Sequence, residues 1–159
     1  MKTYIALLRG INVSGQKKIK MKDLLTFLDG EECKNVHYYL QSGNLIFQSK
    51  LSKEEVKIYI EKKIRKEYMF RVPVHILEPE DIQKIILNNP YKNEEEKYVC
   101  ITYLYESPQI ELIEKIRDMK FKDDVFTISG TVIYLFCPGG FGKTKFTNNF
   151  FEKKLQCTA

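Results

Sequence analysis

Apolar positions along the chain change period several times, and each change marks an element. Tyr4 to Leu8 is an unbroken apolar run, the pattern of a strand held centrally in a sheet and covered on its faces. The stretch RGINVSGQKKIK, Arg9 to Lys20, is polar and contains glycine, so it reads as a loop. In MKDLLTFLDG, Leu24, Leu25, Phe27 and Leu28 fall at helical spacing, and Gly30 stands where helices commonly end. VHYYL and LIF then flank QSGN, which predicts two strands joined by a tight turn, with Gly43 and Asn44 suited to positive φ. Ser52 and Glu55 have the spacing of a capping box, and Val56, Tyr59, Ile60, Ile64 and Tyr68 share one face of the helix that follows. VPVHIL closes the series as a strand, with Pro73 fitting a strand start or a sheet edge. The predicted order is βαββαβ, that of a ferredoxin-like plait.

NNPYKNEEEK, Asn88 to Lys97, interrupts the pattern with proline and a run of acids and reads as a linker. The same order then begins again. YVCITYLY is a strand. Ser107 is expected to cap a helix with Pro108 in its first turn and Ile110, Ile113 and Ile116 inside it. VFTI and VIYLF are strands meeting at Ser129, Gly130 and Thr131, and the last helix carries Phe146, Phe150 and Phe151. This second half gives βαββα. The expected fold class is therefore α+β: two tandem ferredoxin-like α/β plaits, residues 1–78 and 79–159, the second lacking its last strand. An extra helix around Asp81 to Leu87 is expected to bridge them. A missing last strand leaves a sheet edge unpaired, which predicts weak homodimerisation.

Composition changes this picture little. A chain of 159 residues with 43% hydrophobic and 30% charged content has the make-up of an ordinary globular protein. The apolar run near the N-terminus stops at Arg9, too short for a signal peptide, and no segment approaches the length of a membrane span. A cytoplasmic protein without membrane attachment is expected. The four cysteines, Cys33, Cys100, Cys137 and Cys157, show no C-x-x-C spacing, and the two histidines, His37 and His75, lie far apart. No metal or cofactor is expected from them. Cys100 and Cys137, in apolar runs, read as small buried hydrophobes, and both histidines as half-buried strand residues without a visible catalytic partner.

Charge is more informative because it is unevenly placed. Residues 1–78 hold 15 Lys and Arg against 9 Asp and Glu, while residues 79–159 hold 11 against 12. Lys2, Arg9, Lys17, Lys18, Lys20 and Lys22 all precede the first acid, Asp23. A basic, acid-free loop leaving a central strand is a candidate binder of phosphate groups.

At LLRGIN, Leu7 to Asn12, and YLQSGNLIF, Tyr39 to Phe47, the sequence becomes specific. With PGGFGKTKF near the end, these motifs resemble the bacterial family called domain of unknown function 1697, over most of the chain. The resemblance implies two ferredoxin-like plaits and no established activity. Members usually have a second glycine in the first loop where this chain has Ser14, a small polar residue expected to keep the turn. Relatives usually continue past the equivalent of Ala159 with a strand and helix, often with a tryptophan, so a truncated second plait is expected.

CPGGFGKT, Cys137 to Thr144, comes one residue short of a nucleotide-binding P-loop, with Cys137 where the first glycine belongs. The strand before it is the second arm of a hairpin, whereas a P-loop follows a strand of a parallel sheet. A plain strand-to-helix turn with Lys143 in solvent is the expected reading. The ligand-binding candidates are Arg9, Gly10, Asn12, Lys17 and Lys18 of the first loop, and Gln41, Ser42 and Asn44 of the QSGN turn, which a hairpin alone also explains. Tyr38 and Tyr39 invite comparison with base-stacking sheets, one of the pair having to face the helices and the other the open side. The function classes are a module binding phosphates of nucleic acid or of a phosphorylated metabolite, a small enzyme on a phosphorylated substrate, and a structural or assembly protein without a ligand. No catalytic residue emerges.

Overall fold

The computed structural model describes residues 1–13 and 15–159, so the expectation for Ser14 lies outside the described residues. The chain forms two compact units, Met1–Gln83 and Lys84–Ala159.

In the first unit, β1 (Lys2–Leu8) leads to α1 (Met21–Leu28), a β2 (Lys34–Tyr39) and β3 (Asn44–Ser49) hairpin, α2 (Lys53–Tyr68) and β4 (Val74–Leu77). The sheet order is β2-β3-β1-β4, antiparallel throughout. β1 is central, as its apolar run predicts, and β4 with Pro73 before it lies at an edge. Alternation explains the layering: Tyr4, Ala6 and Leu8 of β1 and Leu45 and Phe47 of β3 are buried with Val56, Ile60 and Ile64 of α2. Each of those α2 side chains contributes about 1.5–3 kcal/mol by leaving water. The predicted capping box closes α2, with Ser52 accepting from the Glu55 N–H and the Glu55 carboxylate accepting from the Ser52 N–H at 2.8 Å.

Gly30 stands just past the end of α1, as expected, with the cap residue Asp29 in extended backbone. At the QSGN turn, Gly43 takes positive φ as expected, with Leu40 just before the turn also at positive φ, but Asn44 does not and is already the first residue of β3.

The chain passes along α3 (Pro79–Leu87) into the second unit, which holds β5 (Val99–Tyr103), α4 (Ile110–Arg117), β6 (Val125–Ser129), β7 (Val132–Phe136) and α5 (Asn148–Leu155). Its antiparallel sheet has the order β5-β7-β6. Ser129 pairs with Val132, so Gly130 and Thr131 form the hairpin turn expected there, Gly130 at φ +58°. The core is aromatic: Phe126 meets Phe146 and Phe151 edge to face, at centroid distances of 4.9 and 5.2 Å.

Ser107 does not cap α4. The residue preceding that helix is Gln109, which makes no side-chain cap, and Ile110 is exposed. The stretch read as a linker is also tied down. Tyr91 stacks on Phe136, and its hydroxyl pairs with the Thr127 hydroxyl at 3.0 Å, so this segment packs on its own sheet.

Candidate functional site

The C-terminal end of β1 gathers three segments of the first unit. The Leu8 N–H donates to the Gly43 carbonyl and the Arg9 N–H to the Pro73 carbonyl, both at 3.0 Å. The loop from Arg9 to Lys20 thus leaves the sheet bonded to the turn on one side and to the α2–β4 connection on the other. Ile11 and Ile19 are buried and anchor it at both ends.

Asn12 holds these parts together. Its Nδ2 donates to the Ile19 and Gln41 carbonyls, both at 2.9 Å, and its Oδ1 accepts from the Ile19 N–H at 2.9 Å. Asn12 sits at φ +57°, a conformation asparagine tolerates better than most side chains. Its N–H reaches the Lys17 carbonyl at 3.2 Å, and Val13 and Gln16 form a short antiparallel bridge. Gly43 completes the lock. A Cβ there would lie 2.7 Å from Ile11 Cδ1 and 2.9 Å from Leu8 Cβ, so only glycine lets the turn close on the loop. The LLRGIN and QSGN motifs are therefore the two halves of one contact.

The candidate residues take different positions around this contact. Arg9 is half-buried; Gly10, Asn12, Lys17, Lys18, Gln41 and Ser42 are exposed, and Asn12 gives both amide hydrogens to backbone carbonyls. Ser42 Oγ accepts from Asn44 Nδ2 at 3.0 Å, so those two side chains satisfy the turn. An open groove of about 520 Å³ brings Asn12, Lys18 and Gln41 together with Lys20, Asp23 and Tyr68. Arg9, Gly10, Lys17, Ser42 and Asn44 do not line it. None of the salt bridges among the described residues takes Lys17, Lys18 or Lys20. Asp23 puts one negative charge in the groove beside Lys18 and Lys20. Tyr68 was legible only as a helix-face residue; it reaches the groove because α2 ends beside the loop. Burial, with Asp23 and Glu67 nearby, holds its hydroxyl above the usual range. Arg65 and Arg71, with Glu61 and Lys62, line another hollow of about 330 Å³ and were not foreseen.

The glycine-rich segment after β7 has another geometry. Phe141–Lys143 is a single 3-10 turn, Lys143 is exposed, and α5 begins only at Asn148. The Thr144 hydroxyl accepts from the Phe146 N–H at 3.1 Å. β7 is antiparallel to both neighbours, so no helix N-terminus stands over a phosphate cradle. Cys137 is fully buried, and burial pushes its thiol up to about 11, as it does for Cys33. Neither thiol is a thiolate nucleophile at neutral pH. His75 is held below its usual range by burial and then by Lys53 and Lys57, which favours a neutral ring. Among the described residues, no group of three or more His, Cys, Asp or Glu is placed to hold a metal ion.

Among the described residues, two antiparallel sheets and five α-helices make a mixed α+β protein that carries a basic loop locked to a hairpin turn. The chain belongs to the family described as protein of unknown function DUF1697, whose profile matches residues 1–134. A solved structure, that of the conserved bacterial protein SP0830 from Streptococcus pneumoniae, is similar in fold, with a TM-score of 0.69 and 24% identity over 97% of each chain. No curated protein sequence matches the chain.

Proposed function

We propose that the protein is a binding module for phosphate groups, of nucleic acid or of a phosphorylated metabolite, and that the Arg9–Lys20 loop is its contact surface. One observation carries this reading: four cations in an acid-free loop are held in place by buried anchors and the Asn12 bonds, while Lys17, Lys18 and Lys20 enter no salt bridge among the described residues. Lysines kept only to solvate a surface need no such scaffold. A pre-set loop binds a polyanion with less ordering cost.

We read the architecture as two ferredoxin-like plaits. The order β2-β3-β1-β4, with helices after β1 and β3, agrees with a ferredoxin-like plait, and β5-β7-β6 agrees with a second plait without its fourth strand. On this reading the domains are residues 1–78 and 79–159. Among the described residues no helix is long and apolar enough to cross a membrane, which suits the proposed cytoplasmic location. Isothermal titration with inorganic pyrophosphate and with a short oligonucleotide tests the proposal. Binding weakened by Lys17→Gln with Lys18→Gln supports a polyanion surface. Dependence mainly on Arg9, with little effect of salt, assigns the loop to a small metabolite. The absence of binding to either probe above millimolar affinity refutes it.

A further inference from the structure

Resting on the phosphate-binding reading, we infer that the ligand is single-stranded nucleic acid, with a base stacked on Tyr39. The basic loop alone does not distinguish among polyanions. What distinguishes them is the set of apolar side chains left in solvent around it. Tyr39 is 65% exposed, Leu40 61% and Val13 59%. Tyr38 packs against the core, so strand alternation turns Tyr39 to the open face, opposite the helices. There it shares the face with exposed His37 and with Ile46, the partner of His37 across the hairpin. Among the described residues Tyr39 has no ring partner.

Position joins this face to the cations. Tyr39 ends β2, an edge strand, and two residues later the Gln41 carbonyl accepts from Asn12 in the basic loop. Leu40, between them, is an exposed branched side chain held at φ +61°, a strained conformation that its own burial does not repay. A strand of a few nucleotides laid across this corner places phosphates on Lys17 and Lys18 and a base on the Tyr39 ring. That is the arrangement of stacking platforms beside electrostatic grooves. A duplex hides its base faces and leaves Tyr39 unused.

The test uses the full chain and a fluorescein-labelled single-stranded dodecamer, read by fluorescence anisotropy, with circular dichroism confirming that each variant folds. Tyr39→Ala is expected to weaken binding roughly tenfold to a hundredfold at fixed salt without changing the salt slope. Tyr39→Phe, which keeps the ring, should restore affinity to within about threefold of wild type. A duplex of the same sequence should bind with no dependence on Tyr39. If Tyr39→Ala leaves single-strand binding unchanged while Lys17→Gln with Lys18→Gln weakens it, the stacking inference is wrong and the phosphate reading stands. Binding only to inorganic pyrophosphate or phosphorylated metabolites likewise overturns the stacking inference and leaves the phosphate reading in place. Tyr39-dependent binding to phosphatidylserine vesicles without oligonucleotide binding overturns the inference in favour of a membrane surface. Failure of every phosphate-bearing probe overturns both readings.

Discussion

Replacing Gly43 by alanine tests the lock between the two motifs. Two costs add. At φ +85°, any side chain enters the left-handed region, at about 1–2 kcal/mol. The new Cβ also lands 2.7 Å from Ile11 Cδ1 and 2.9 Å from both Ile11 Cγ1 and Leu8 Cβ. Ile11 is buried and cannot swing aside, and a Cβ moves only with its backbone, so overpacking adds about 1–3 kcal/mol. The expected total is about 2–5 kcal/mol. Gly10→Ala isolates the first cost, because Gly10 has φ +69° but nothing within 4 Å of a new Cβ. Gly139→Ala has neither cost and should be neutral or slightly stabilising. Hydrogen exchange read by mass spectrometry on peptides from β1 and β3 reports the opening free energy of the first unit. Protection there should fall further in Gly43→Ala than in Gly10→Ala, by a margin of about 1–3 kcal/mol. If the two variants agree within about 0.5 kcal/mol, the turn does not close on the loop as described.

Asn12→Gly tolerates the positive φ but removes three side-chain hydrogen bonds, and should destabilise the loop by about 1–3 kcal/mol, seen as faster limited cleavage by trypsin at Lys17 and Lys18. His75 has a depressed folded-state pKa, so the unfolded chain takes up its proton first as pH falls. Its contribution is therefore present above the unfolded value of about 6.5 and is lost as pH falls through the lower folded value. His75→Gln should flatten urea stability between pH 7.5 and 5.5, and an unchanged slope contradicts this. Lys143→Ala should leave stability and ligand binding unaltered, and magnesium-dependent ATP binding abolished by that change would reinstate the P-loop.

Much of the fold was legible because its signals are local. The β1 apolar run, the Ser52–Glu55 capping box and the Gly130 turn each depend on residues near in sequence, and each stands where its pattern put it. The misplaced details depend on partners that no local pattern names. Leu40 takes positive φ just before the turn, where a propensity rule gives that role to asparagine instead. Ser107 looks like a cap by spacing, yet helix α4 starts three residues later. At the candidate site, the sequence showed the acid-free loop and the turn but not their contact. Asn12 therefore read as a ligand donor, whereas its amide joins the two motifs. Tyr68 and Asp23 enter the groove only through packing of α2 and α1 around it.

The most direct test of the central claim is the salt dependence of binding to a single-stranded oligonucleotide, measured for the wild type and for Lys17→Gln with Lys18→Gln. If these lysines neutralise phosphates, each contributes roughly 0.7 to the slope of log affinity against log salt for a single strand. The double variant should then bind more weakly, with a slope shallower by about 1.4. Equal affinity and equal slope in the two proteins would contradict the account, because the Arg9–Lys20 loop would then be scaffold and not a contact surface.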